Sequence, residues 1–185
     1  MKKVIIALVV ACSLIAGAIG VVVIAESRAG AELESRVTAF LDDCGTAPSS
    51  IDVRGRPYIL SAAQGHVDLT YVDLAPAAGT NKDQLLVHRL VDGEADRLTR
   101  FVTFDYPSSD ATPDPNPDGS YSEVATLDDR KVTFSAATDD TTVQMLADGR
   151  PASEIDLPQR ASVRGVAATD QGVLVEVEYA SSSCR

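Results

Sequence analysis

The sequence predicts an α+β domain in which one amphipathic helix packs on a curved antiparallel sheet. Three observations predict it. Apolar residues recur at helical spacing over 26–43, they switch to strict alternation from residue 51 onward, and Gly- and Asp-containing turn signals separate the alternating runs. One helix followed by about eight short strands is the pattern of a helix set against an antiparallel sheet.

The chain opens with basic Met1-Lys2-Lys3, and Val4 to Ala25 then runs without a charge. As a helix this run spans roughly 33 Å, enough to cross a hydrocarbon core. The two lysines belong on the cytoplasmic side, so a spanning segment places the bulk of the chain outside. Val23-Ile24-Ala25 also suits a signal-peptide cut, and Val9-Val10-Ala11-Cys12 looks like a lipobox with Cys12 as the lipidated residue. The run is longer than a usual signal-peptide core, which favours an anchor. It continues well past Cys12, which favours a small cysteine inside a membrane helix. Residues 1–25 are therefore a transmembrane anchor or signal peptide, and residues 26–185 an extracytoplasmic domain.

Within that domain Glu26 to Asp43 reads as the amphipathic helix. Ala29, Leu33, Val37, Phe40 and Leu41 share one face, and Gly45 stands where a helix stops. The strands follow. Val67, Leu69 and Tyr71 alternate with Asp68 and Thr70, and Val132 and Phe134 with Thr133 and Ser135. Val173, Val175, Val177 and Tyr179 alternate with Leu174, Glu176 and Glu178. Gln84 to Val91 and Leu98 to Tyr106 are strand-like too, with Val102, Phe104 and Tyr106 on one face. Thr138-Asp139-Asp140 and Thr169 to Gly172 read as hairpin turns. Residues 108–120 carry three prolines, three aspartates and no apolar side chain larger than alanine, the composition of an exposed, mobile loop.

Charge narrows the function. The formal net charge is −11, and the two N-terminal lysines make the remainder more acidic still. Binding phosphate backbones needs clustered Lys and Arg, so nucleic acid is excluded as a partner. Two cysteines, Cys44 and Cys184, lie in the outer part, where disulfides persist. A bridge between them would tie the C-terminus to the end of the helix and contribute roughly 4 kcal/mol in the chain-entropy model.

Enzyme signatures are missing. The chain has no G-x-S-x-G elbow, no phosphate-cradling glycine loop and no histidine pair at metal-ligand spacing. Asp114-Pro-Asn116-Pro-Asp118-Gly119 resembles the start of a calcium loop, but the twelfth position is Ala125 and the alternating prolines forbid the usual backbone. The expectation is a protein without catalysis, cofactor or metal. A Ser-His-Asp arrangement assembled in space around His66 or His88 is the hydrolase alternative.

The most distinctive stretch is Ile51-Asp52-Val53-Arg54-Gly55-Arg56-Pro57-Tyr58-Ile59-Leu60, followed by Gly65-His66-Val67-Asp68-Leu69-Thr70. It reads as a short strand, a tight turn, one apolar helical turn, a glycine stop and a long strand. Tyr58, Ile59 and Leu60 either plug the core or line an apolar opening. This block, the Val37-x-x-Phe40-Leu41 helix end before it, and Leu157-Pro158, Val163-Arg164-Gly165-Val166 and Gly172 to Val177 near the C-terminus resemble the actinobacterial LmeA-like envelope proteins. The likeness spans most of residues 21–179, with Asp52 to Thr70 its specific part. Arg56 stands where a large apolar residue is commoner in that family, and Asp92 to Asp129 is more polar and proline-rich.

The resemblance implies a tubular lipid-binding fold, a curved antiparallel sheet wrapped about a long helix. It also implies phospholipid binding in the cell envelope with a role in lipoglycan maturation. On this reading Leu33, Val37, Phe40 and Leu41 line an acyl-chain groove, Tyr58, Ile59 and Leu60 form its mouth, and Arg54 or Arg56 meets a phosphate. The partners are then the membrane and its lipid. The alternative is a filled scaffold domain that presents its acidic surface and proline-rich loop to another envelope protein.

Overall fold

The computed structural model describes the backbone of residues 2–180 and the side chains of residues 17–180. A single long helix, α1 (Lys2–Asp43), leads the chain. There follow β1 (Pro48–Arg54), α2 (Tyr58–Gln64), β2 (His66–Leu74), β3 (Thr80–Val91), β4 (Glu94–Phe104), β5 (Thr112–Pro113), β6 (Val124–Leu127), β7 (Arg130–Asp139), β8 (Thr142–Ala147), β9 (Arg150–Asp156), β10 (Ala161–Thr169) and β11 (Gly172–Tyr179).

The class is α+β, as expected, but the strands form two antiparallel sheets rather than one. Six strands run in the order β1-β2-β3-β4-β11-β10, and five in the order β5-β6-β7-β8-β9. The split follows from pairing at long range: β11 returns to β4, with Val175 opposite Val102 and Val177 opposite Arg100. The smaller sheet meets the larger where β10 lies beside β6 and β7, and the Ala168 N–H donates to the Ser122 carbonyl at 2.7 Å.

One hydrophobic core joins the two sheets and the helix. The larger sheet contributes Val53, Val72, Leu85, Val87, Leu98, Val102, Phe104, Val173, Val175 and Val177 from its inner face. The period-two reading holds for β4 and β11 but fails in β2, where the alternation slips after Leu69: Thr70 and Val72 are buried and Tyr71 faces out. The smaller contributes Ala125, Phe134, Val143 and Met145. Tyr106 sits past the end of β4 and meets Phe134 with ring centres 5.6 Å apart. Inside this apolar layer lies a charged pair: Arg100 makes two bonds to Asp83, at 2.8 and 2.5 Å, and a third to the Tyr179 hydroxyl at 3.2 Å.

Residues 108–120 are not wholly irregular. Thr112–Pro113 pairs with β6, and the Asp114 N–H donates to the Val124 carbonyl at 2.9 Å. Past that, Asn116, Asp118 and Ser120 bond to one another in an exposed turn.

Among the described residues no helix is long and apolar enough to cross a membrane. Most of the expected span, with Cys12 in it, lies outside the residues whose side chains are described, and so does Cys184, the expected partner of Cys44.

Candidate functional site

The four helix residues assigned to a lipid groove are core. Leu33, Val37 and Leu41 have no exposed surface and Phe40 only 4%. They pack with Val53, Val67 and Val72 as α1 rests on β1 and β2. An acyl chain between helix and sheet would have to displace side chains that already fill the space. The stripe therefore anchors α1, and the apolar surface open to solvent lies elsewhere, at the junction of α1 and α2.

That junction is built by three devices. Pro57 precedes α2 and offers no capping side chain, so the first N–H groups of the helix need another acceptor. Glu26 of α1 supplies it, with the Tyr58 N–H at 2.7 Å from one carboxylate oxygen and the Ile59 N–H at 3.2 Å from the other. A negative charge is favoured at that end of a helix. Second, Gly30 lets the two helices touch: a Cβ there would lie 3.0 Å from the Tyr58 ring. Third, Tyr58 is fixed from three sides. Its hydroxyl donates to the Val53 carbonyl at 2.9 Å, its ring faces Gly30, and the Arg56 guanidinium lies 5.2 Å over the ring centre. Gly65, at φ 74°, closes α2 in the left-handed conformation that glycine accepts without strain.

Thus the three residues expected at a mouth divide. Tyr58 is a half-buried bolt, while Ile59 and Leu60 point out, 36% and 56% exposed. Beside them α1 exposes Ile19, Val21, Val22, Val23 and Ile24. A cleft of about 420 Å³ runs between the two helices, lined by Val21, Ile24, Ala25, Ala29, Ile59 and Ala62, with Arg28 and Glu32 at its polar side. Arg54, the last residue of β1, and Arg56, on the turn before α2, are both exposed. Arg54 pairs with Asp52 at 2.5 Å and lies 5.6 Å from the Tyr71 ring centre. An exposed pair of this kind holds its arginine weakly, which leaves the guanidinium available to a stronger anion.

Among the described residues neither histidine sits beside a buried carboxylate. His66 bonds Asp68 at 3.1 Å, but the Asp68 side chain is 53% exposed, unlike the buried carboxylate that orients a catalytic imidazole. His88 lies 3.5 Å from Arg97, and partial burial with that neighbouring cation holds its pKa below the usual imidazole value. Within the acidic loop the Asp114 carboxylate pairs with Lys131, and the Asp118 carboxyl is held below its ordinary range by the Ser120 hydroxyl and N–H. Among the described residues no cluster of His, Cys, Asp or Glu is suited to a metal ion.

Sequence reasoning missed Glu26 and Gly30. Both left a trace: a proline-led helix without a cap of its own, and a glycine inside a helical stripe, which marks close approach. In comparisons with known proteins, no family model, no curated protein and no solved structure matches this chain.

Proposed function

We propose that this chain is a non-enzymatic phospholipid-binding module of the cell envelope, and that it meets lipid on the outer surface of the α1–α2 junction. One observation carries the reading. Exposed aliphatic side chains run from Ile19 to Ile24 along α1, Val21 and Ile24 share a cleft with Ile59 of α2, and Leu60 is exposed next to Ile59, on a chain of net charge −11. A contiguous exposed apolar patch marks an interaction site. Arg28 lines the cleft and Arg56 lies over the Tyr58 ring beside it, where guanidinium groups suit lipid phosphates, while Arg54 sits over Tyr71 on the outer face of the sheet. Acyl methylenes entering the cleft would each contribute about 0.8 kcal/mol. The likeness to LmeA-like envelope proteins supports the same reading, since its specific block, Asp52 to Thr70, is the segment that builds the junction. So does the uncharged run before residue 26, as an anchor that keeps the domain outside and against the bilayer. A supporting role in lipoglycan or envelope-lipid maturation would follow from that likeness.

The closed core favours a second reading, in which the same apolar end docks an envelope protein. One experiment separates the two. The full chain is reconstituted into vesicles of phosphatidylethanolamine and phosphatidylglycerol carrying a photoreactive acyl chain, and crosslinks are mapped by mass spectrometry. The lipid reading expects crosslinks in peptide 57–64, lowered several-fold by the Ile59→Asp, Leu60→Asp double variant. Crosslinks confined to residues 1–25 would put α2 away from lipid and leave the protein-docking reading.

A further inference from the structure

On the other side of the domain, the outer face of the six-stranded sheet carries a second concave site, of about 460 Å³. The sheet's alternation builds it. Tyr71 of β2 stands opposite Leu86 of β3, Gln84 of β3 opposite Phe101 of β4, and Leu174 of β11 opposite Thr103 of β4. These residues make a floor of mixed apolar and polar side chains crossing from β2 to β11, three strand spacings or about 14 Å. The turn between β10 and β11 raises Asp170 and Gln171 at one side, and Tyr121 lines the cleft as well.

Tyr121 follows the proline-rich loop, and the role of that loop becomes visible here. The ring is 54% exposed, yet its backbone is pinned. The Asn116 amide donates to the Tyr121 carbonyl at 3.2 Å, and the next carbonyl, of Ser122, accepts the Ala168 N–H at 2.7 Å. Asn116 in turn bonds Ser120, whose hydroxyl donates to Asp118 at 2.6 Å. An exposed aromatic side chain on a fixed backbone, at the wall of a cleft, is the arrangement of a preorganised binding platform. Tyr71, 40% exposed, is held likewise, with the Arg54 guanidinium over its ring.

The lining chooses the ligand chemistry. Floor and walls alternate apolar surfaces with hydrogen-bonding groups. Covering the latter with an acyl chain would leave them unpaired at a cost. Lys82 and Asp170 bring one charge of each sign, so a phosphate gains nothing net. Gln84 donates from its amide nitrogen to Asp73 at 2.6 Å, which leaves its carbonyl oxygen as an acceptor at the cleft. A ring ligand with C–H faces and a rim of hydroxyls satisfies both halves of such a surface, and the volume lies within the usual range for small-ligand sites. We propose that this cleft binds a short neutral saccharide of two or three pyranose rings, stacked on Tyr121 and hydrogen-bonded by Gln84 and Gln171.

The site lies on a different face from the α1–α2 junction and stands or falls without it. The test uses the full chain and carries no phospholipid: saturation-transfer NMR with maltotriose, cellotriose and α-mannotriose, each titrated to about 10 mM, about tenfold above the 1 mM Kd of a weak complex. The expected result is saturable transfer to at least one trisaccharide, weakened tenfold or more by Tyr121→Ala and by Gln84→Leu. Both residues are at the surface, and an unchanged far-UV CD spectrum establishes that the variants fold. No saturable transfer from any of the three sugars overturns the proposal. So does binding that survives Tyr121→Ala, because the platform would then be idle.

Discussion

Removing the Asp83 carboxylate while leaving Arg100 in place should cost this domain a large part of its stability. The Asp83 side chain has no exposed surface and that of Arg100 has 10%. The pair is bidentate, at 2.8 and 2.5 Å, and the Tyr179 hydroxyl takes a third N–H at 3.2 Å. Burial by itself would lower the Arg100 pKa, and the bonds to Asp83 and Tyr179 outweigh it, so the guanidinium stays charged. In Asp83→Ala that charge remains at the same depth with one partner, the hydroxyl. Breaking a buried pair from one side costs about 3–5 kcal/mol, against a total of about 5–15 kcal/mol for a domain. Replacing both partners by apolar residues of similar volume, Asp83→Leu with Arg100→Met, should recover most of the loss, because neither charge is then desolvated. Tyr179→Phe removes one hydrogen bond and should cost about 1 kcal/mol. Urea unfolding followed by far-UV CD measures all four proteins; the chain has no Trp to report by fluorescence. A loss below about 1 kcal/mol for Asp83→Ala would mean that Arg100 reaches water, and the description of this pair as sealed in the core would be wrong.

Two further outcomes follow from single contacts. Glu26→Gln keeps the shape of the cap on α2 but removes its charge; a loss of about 0.5–1 kcal/mol is expected, seen as faster hydrogen exchange at the Tyr58 and Ile59 amides, and unchanged exchange there would show that the cap is idle. The Thr70 hydroxyl is buried without a partner among the described residues, between Val53 and Val87 in register. Thr70→Val should therefore raise stability by about 1 kcal/mol, given the desolvation cost of an unpaired hydroxyl, and a lower melting temperature would point to a hydrogen bond in solution.

Much of the inner architecture was legible because it rests on local periodicity. Leu33, Val37 and Leu41 at helical spacing, and Val173, Val175 and Val177 at strand spacing, are all fully buried. Periodicity marks which face is covered, however, and is silent on what covers it. The same stripe on α1 serves a filled core or a lipid groove equally well on paper, and only the packing decides. Pairing is equally silent. That β11 closes on β4, and that the strands divide into two sheets, depends on contacts far apart in the chain. β9 left little signal for a physical reason: as an edge strand it is polar on most positions and contains Pro151, the composition that keeps an edge from pairing further.

The α1–α2 junction shows why this end of the molecule is its most informative part. One continuous helix changes its relation to its surroundings within a few residues. From Ile19 to Ile24 its aliphatic side chains are exposed all round, and from Ala29 to Leu41 its larger apolar side chains, Leu33, Val37, Phe40 and Leu41, fall on one buried face. The first pattern suits an apolar solvent and the second a protein core against water. The change falls at Glu26, Ser27 and Arg28, where the first charges of the helix past Lys3 occur. Glu26 is spent on capping α2, which fixes that short helix at this level of α1 and brings Ile59 into one cleft with Val21 and Ile24. On the proposed reading this level is the boundary between bilayer and water, and α2 is a second apolar foot set beside the first. The geometry then makes a demand that a scaffold role does not: Ile59 and Leu60 must be in contact with acyl chains while Arg28 and Arg56 remain within reach of the headgroups.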